Sequence, residues 1–147
     1  MMFKSLLMLT LAGTLVAGCT THQPVSIERK HYGDWEKDVG YTQAVRIGNT
    51  LYLSGLGGQG ETQVEQLNDV YQTIGRILAD YKATSRDIVK EVIYTTNIDE
   101  LIAAKDKRKD FYRDAVYPAS TWVQVERLYS VDMAIEVDVT VQLSGRE

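Results

Sequence analysis

The run Ile135-Glu136-Val137-Asp138-Val139-Thr140-Val141-Gln142-Leu143 constrains the fold more than any other stretch of the chain. Apolar residues alternate with acidic or polar ones, and a β-strand sends successive side chains to opposite faces. The pattern therefore predicts a long strand with one apolar face and one acidic-to-polar face. Val123, Val125 and Arg127 alternate in the same way upstream, and Ser130 to Met133 lie between the two runs as a turn or crossover. The acidic row is either plain solvated surface or the wall of a cleft.

The remaining segments supply partners for that strand. Ala44 to Ile47 and Thr50 to Ser54 are β-rich runs around Gly48-Asn49, a pair that tolerates positive φ, and they predict a hairpin. From Val64 to Lys82, residues Val64, Leu67, Val70, Tyr71, Ile74, Ile77, Leu78 and Tyr81 recur at helical spacing, which predicts an amphipathic helix. Between these elements, Gly55-Leu56-Gly57-Gly58-Gln59-Gly60 resembles a phosphate loop only superficially. It lacks the Gly-Lys-Ser/Thr ending and a βαβ context, so it is read as a flexible strand-to-helix loop. Asp87 ends a connecting turn before a strand from Ile88 to Thr96, and Asn97 or Asp99 can cap a second helix running to about Ala115. The order ββαβαββ implies an α+β sandwich, with both helices on one sheet face and the other face open to solvent or to another subunit.

The second helix carries an oddity. At about 100° per residue, Leu101, Tyr112 and Ala115 mark its core-facing sector, and Lys105 and Arg108 fall inside it. Either their stems lie along apolar surface while the charges reach water, or one of them occupies a cleft at the sheet edge facing the carboxylates of the last strand. A desolvated charge needs such a partner.

Composition narrows the function. A chain of 147 residues with 44% hydrophobic content and two prolines suits one globular domain. The net charge of −4 and the lack of a basic run argue against binding nucleic acid, which requires clustered Lys and Arg. A single cysteine, Cys19, permits no intramolecular disulfide, and with only two histidines, His22 and His31, there is no ligand set for a Cys/His zinc site. Neither a metal nor a cofactor is expected.

The N-terminus reads as an export signal. Lys4 precedes an apolar run from Leu6 to Val16 that is too short to span a bilayer comfortably. Leu15-Val16-Ala17-Gly18-Cys19 resembles the bacterial lipobox, which implies cleavage after residue 18 and lipidation of Cys19. Acyl chains would then hold the protein at a membrane. Thr20 stands where an inner-membrane retention aspartate would sit, so the expected address is the outer membrane, facing the periplasm. Residues 19–30 are read as the anchor and a polar tether, with His22 and His31 in or near it and given no role. Residues 31–147 form the domain.

Two separated signatures resemble those of the Rid (YjgF/YER057c/UK114) family. One is Gly40-Tyr41-Thr42-Gln43-Ala44-Val45-Arg46-Ile47-Gly48-Asn49 followed by Leu51-Tyr52-Leu53-Ser54-Gly55. The other is Val123-Gln124-Val125-Glu126-Arg127-Leu128 followed by Ile135-Glu136-Val137-Asp138. The resemblance covers about residues 40–142. It implies a chorismate-mutase-like fold assembled as a homotrimer, with ligand clefts between subunits. It also implies cofactor-free hydrolysis of enamines and imines such as 2-aminoacrylate, in which an arginine clamps the substrate carboxylate and a glutamate positions water or moves protons. By position, Tyr41, Ser54 and Gly55 match pocket residues and Glu136 matches the acidic residue. The family's Pro-Ala-Arg-Ser reads Pro118-Ala119-Ser120-Thr121 here, so Ser120 replaces the clamp arginine, and Lys105 replaces the asparagine often found on the second helix. With Trp35-Glu36 ahead of Gly40, the chain resembles the arginine-less branch, where imine deaminase activity is not expected. A serine hydroxyl is one neutral donor where arginine offers a planar two-pronged cation.

Three readings stay open. The first is an envelope lipoprotein that binds a small metabolite in inter-subunit clefts through Tyr41, Ser54, Gly55, Lys105, Ser120 and Thr121, with little imine hydrolysis. The second is an enamine or imine deaminase with Lys105 or Arg108 as substitute cation and Glu136 handling protons, after its pKa is raised by burial or by Asp138. The third is a non-catalytic trimer presenting a surface. A nuclease role fits an acidic chain poorly.

Overall fold

The alternating run forms a central strand of a mixed sheet. The structure, a computed structural model, describes residues 25–144. In chain order the elements are β1 (Ile27–Lys30), α1 (Trp35–Val39), β2 (Ala44–Ile47), β3 (Thr50–Gly57), α2 (Gln63–Asp80), β4 (Ile88–Thr95), α3 (Ile98–Ala103), α4 (Lys105–Phe111), β5 (Ala119–Gln124) and β6 (Ile135–Gln142). The six strands run in the order β1-β2-β3-β6-β4-β5, all neighbours antiparallel except β4 and β5, which are parallel. This is the expected α+β architecture. Ile135, Val137, Val139 and Val141 of β6 are buried, while Glu136, Asp138 and Thr140 lie on the opposite face, partly exposed.

Helix α2 covers the buried face. Leu67, Val70, Tyr71, Ile74, Ile77 and Leu78 are buried, at the spacing that turns them toward the sheet. The helix starts at a capping box, in which the Thr62 side chain accepts from the Glu65 N–H and the Glu65 carboxylate accepts from the Thr62 N–H. No helix among the described residues is long and apolar enough to cross a membrane.

Four features differ from the sequence reading, the first being that β3 runs on through Gly55-Leu56-Gly57, which the sequence places in a flexible loop. Residues Ile27–Lys30, placed in the tether, form an edge strand that pairs with β2 from Ile27↔Ile47 to Lys30↔Ala44. A short helix, α1, precedes the hairpin and ends at Gly40, whose φ of 89° is the left-handed conformation that suits glycine at a helix end. The second long helix is interrupted at Ala104, giving α3, capped by the Asn97 side chain, and α4. The signal segment, the lipobox with Cys19, and tether residues 20–24 lie outside the described residues.

Candidate functional site

The ladder between β3 and β6 contains an irregularity. Leu53 pairs with Val139 but Leu56 pairs with Val137, so three residues of β3 span two of β6. Such a β-bulge bends the strand and re-aims side chains. Here it places Ser54-Gly55 against Glu136. A Cβ on Gly55 would lie 2.1 Å from Glu136 Oε1, so only glycine leaves room for that carboxyl group.

The sequence before β2 builds the opposite wall. Glu36 is fully buried at the start of α1 and collects four donors: the N–H groups of Tyr32, Gly33 and Gln43 and the His31 Nδ1. Burial pushes its pKa up, but the hydrogen bonds outweigh burial and hold it below the ordinary glutamate value. Gln43 then passes this anchoring on, since its side-chain amide donates to the Ser54 carbonyl at 2.8 Å. The Ser54 hydroxyl donates to the Thr42 carbonyl at 2.8 Å, and Trp35 Nε1 donates to the Tyr41 hydroxyl at 3.0 Å. The Tyr41 O–H proton is thereby left free to donate elsewhere.

These walls enclose an open cavity of about 590 Å³. Tyr41, Ser54, Gly55 and Glu136 line it together, with Trp35, Gln43, Tyr129, Met133 and Gly57-Gly58 at the end of β3 among the other wall residues. No Lys, Arg or His lines it among the described residues. Glu136 has no hydrogen-bond or ion-pair partner among them, and its pKa is raised, first by burial and then by the nearby Asp138 carboxylate. No group of side chains among the described residues is arranged to hold a metal ion. The cavity can thus offer a carboxyl group able to hold or release a proton, a phenolic donor, hydroxyl lone pairs and two aromatic faces.

The other three binding candidates lie elsewhere. Lys105 is exposed on α4. Thr121 accepts a hydrogen bond from Lys90 Nζ at 2.6 Å. Ser120 pairs with Glu91 across β4 and β5, on the helix-facing side of the sheet, whereas Glu136 pairs with Tyr94 on the outward side. Within one chain, therefore, Ser120 and Glu136 belong to opposite faces.

Ser120 instead joins a buried polar cluster that the sequence reading did not identify. Glu91, 0% exposed, accepts from Tyr71 and Tyr112 hydroxyls on Oε1 at 2.8 and 2.7 Å. Its Oε2 accepts from Arg108 Nε and the Ser120 hydroxyl, both at 2.8 Å. Ser120 in turn accepts from Trp122 Nε1 at 2.9 Å. Of the two cations in the core-facing sector, Arg108 is thus the buried one, and its partner is Glu91 rather than the acidic strand. Lys105 opens a new helix after the break at Ala104, and its strongly hydrated ammonium stays in water, whereas a guanidinium is more weakly hydrated. Glu91 was detectable in principle, because it shares its strand face with Ile93 and Thr95.

The family model described as Endoribonuclease L-PSP matches residues 36–143. A RutC family protein of Buchnera aphidicola subsp. Baizongia pistaciae is 30% identical over 119 residues, covering 76% of this chain and 94% of the relative. A 2-iminobutanoate/2-iminopropanoate deaminase of Dermatophagoides farinae is 31% identical over 96 residues, covering 60% of this chain and 74% of that protein. Among solved structures, a YjgF/YER057c/UK114 family member from Mycobacterium tuberculosis superposes with a TM-score of 0.74 at 26% identity, covering 80% of this chain and all of that one.

Proposed function

Because this chain belongs to the YjgF/YER057c/UK114 (Rid) family, the family described as Endoribonuclease L-PSP, we propose that its cavity binds a small polar metabolite and hydrolyses imines weakly or not at all. The observation that carries this reading is the charge inventory of the cavity: an unpaired Glu136 with a raised pKa beside Tyr41 and Ser54, and no cation among the lining residues. A 2-imino acid brings a carboxylate, which a guanidinium would bind by paired, charge-assisted hydrogen bonds. Ser120 occupies the family's arginine position, and its hydroxyl is committed to Glu91. A charge-assisted hydrogen bond is worth about 1.5–3 kcal/mol, so losing it weakens substrate binding about ten- to a hundredfold. The preferred ligand is instead a small amide or carbonyl compound that pairs with the Glu136 carboxyl group and accepts from the Tyr41 hydroxyl.

The unpaired Glu136 also favours a second reading, cofactor-free enamine or imine hydrolysis with Glu136 as general acid and base, the activity named for the mite relative. Lys105 supports it poorly, being exposed, and Arg108 is engaged on the opposite side of the sheet. RNA cleavage is disfavoured, since a phosphate backbone would approach Glu136 with no cation lining the cavity.

In the full proposal the protein is a lipoprotein anchored through Cys19 and facing the periplasm, and it assembles as a homotrimer with these cavities in its clefts. The uncovered sheet face, where Tyr52 is 46% and Val123 36% exposed, is the surface available to other copies. The test is a thermal-shift screen of small amides, keto acids and carboxylates. A ligand of the folded state raises the midpoint, and Glu136→Gln and Tyr41→Phe must abolish that rise. A hit that survives both substitutions overturns the assignment of the cavity.

A further inference from the structure

The two most exposed aromatic side chains among the described residues, Tyr129 at 77% and Trp35 at 57%, line the same cavity. Both stand on anchored chain. Trp35 Nε1 donates to the Tyr41 hydroxyl at 3.0 Å, and the Trp35 ring lies over the bare face of Gly33, where a Cβ would overlap it. Tyr129 begins a segment that Gln66, 4% exposed on α2, ties down. The Gln66 side-chain amide donates to the Asp132 carbonyl at 2.8 Å and to the Gly60 carbonyl at 3.1 Å, and its oxygen accepts from the Ala134 N–H at 2.8 Å. Met133, in the same segment, fills the space that Gly57 leaves by having no Cβ. Two rings are thus held at the cavity with much of their surface in water. Holding them in advance removes part of the ordering cost of binding.

The cavity is larger than a small imino acid needs. Its volume of about 590 Å³ lies within the range of about 300–1,000 Å³ that encloses a drug-sized ligand through an apolar lining and a few polar groups. Here the polar groups are Glu136, Tyr41 and Ser54, and Val39, Leu56 and Met133 extend the apolar lining beyond the two rings. A flat ring packs on tyrosine or tryptophan in offset or edge-on fashion, which adds to the gain from burying its area. A carboxylate on such a ring would meet Glu136 with no cation among the lining residues. An uncharged primary carboxamide instead offers N–H donors to Glu136 and a carbonyl to the Tyr41 hydroxyl.

We propose that the cavity takes aromatic primary carboxamides, the amide pairing with Glu136 and Tyr41 and the flat ring lying against Trp35 and Tyr129. This rests on the reading of the Glu136 cavity as a site for a small polar ligand and gives that ligand an aromatic body.

Benzamide, acetamide and benzoate are titrated into the purified full-length chain by isothermal calorimetry. Benzamide should bind at least about tenfold more tightly than acetamide, and benzoate should show no saturable binding at neutral pH. Tyr129→Ala and Trp35→Leu should each shrink the advantage of benzamide over acetamide at least about threefold. The Tyr129 side chain lies mostly in solvent, so its alanine variant keeps the fold. No saturable binding of benzamide, equal affinities for the two amides, benzoate binding as tightly as benzamide, or an advantage unaltered in either variant overturns the proposal and leaves the Glu136 reading to its own screen. So do variants that change only the molecular mass in solution, which would place a second copy of the chain against the rings. Benzamide binding that survives both Glu136→Gln and Tyr41→Phe overturns the proposal and the Glu136 reading together.

Discussion

Replacing Glu91 by alanine should destabilise the fold more than any substitution in the Glu136 cavity. Glu91 is the shared acceptor for Arg108, Tyr71, Tyr112 and Ser120, and the first three are buried, at 8%, 4% and 1% exposed. Breaking a buried ion pair by removing one partner costs about 3–5 kcal/mol. Each buried hydroxyl left without an acceptor adds about 1–3 kcal/mol. These contributions are not additive, because the vacated space admits water and the tyrosines repack, so the expected loss is about 5 kcal/mol. With an m-value of about 1.5 kcal/mol per M, the urea midpoint falls by about 3 M. Arg108→Met alone should cost about 3 kcal/mol, since it strands the carboxylate while the hydroxyls still serve it. The double variant Glu91→Ala with Arg108→Met should be more stable than the sum of the two losses by at least about 1.5 kcal/mol, the signature of residues in contact. Equilibrium unfolding in urea, followed by far-UV circular dichroism, measures all three. A loss below about 1 kcal/mol for Glu91→Ala, with additive behaviour in the double variant, would show that the cluster is not buried and bonded as described.

Other substitutions test the cavity and its support. Glu136 has a pKa raised above the ordinary value of 4.5, so the unfolded chain ionises first and stability falls as pH climbs from that value through the folded pKa. Glu136→Gln should flatten this part of the pH–stability curve and be the more stable protein at pH 7, and an unchanged slope would contradict the raised pKa. Glu36 is the opposite case: its pKa is lowered, so its contribution is present above the ordinary value and lost as pH falls through the folded one. Glu36→Gln should therefore cost about 2 kcal/mol in urea melts at pH 7, with the difference from the parent narrowing in acid. Gly55→Ala would push the Glu136 carboxyl out of its position. It should remove ligand-induced thermal shifts while lowering stability by less than about 1.5 kcal/mol, and retained binding would show that Glu136 is not held where the structure puts it.

Much of this arrangement is legible in the sequence, for local reasons. The hairpin around Gly48-Asn49, α2 and β6 each state their period unambiguously, and each occurs where the pattern places it. Tyr41, Ser54, Gly55 and Glu136 do converge on one cavity, although what joins them, the bulge at Ser54-Gly55, depends on strand pairing that one strand alone does not reveal. Ile27–Lys30 has too polar a pattern to announce a strand, because an edge strand exposes most of its side chains. Lys105 and Arg108 look equivalent when one helix is drawn through Ala104, and only the packing against Glu91 separates the buried cation from the solvated one. Glu36 enters the sequence resemblance only as part of Trp35-Glu36, and its structural role is not legible there, since that role lies in collecting backbone N–H groups from a loop whose path is set by the fold.

The decisive measurement is ammonia and keto-acid release from freshly generated 2-aminoacrylate, comparing the purified protein with its Glu136→Gln variant. A cavity with an acid–base group and no lining cation predicts release at or only weakly above the buffer rate for both proteins. Full-strength catalysed release by the parent that Glu136→Gln abolishes would contradict the account and establish the cavity as a working imine deaminase.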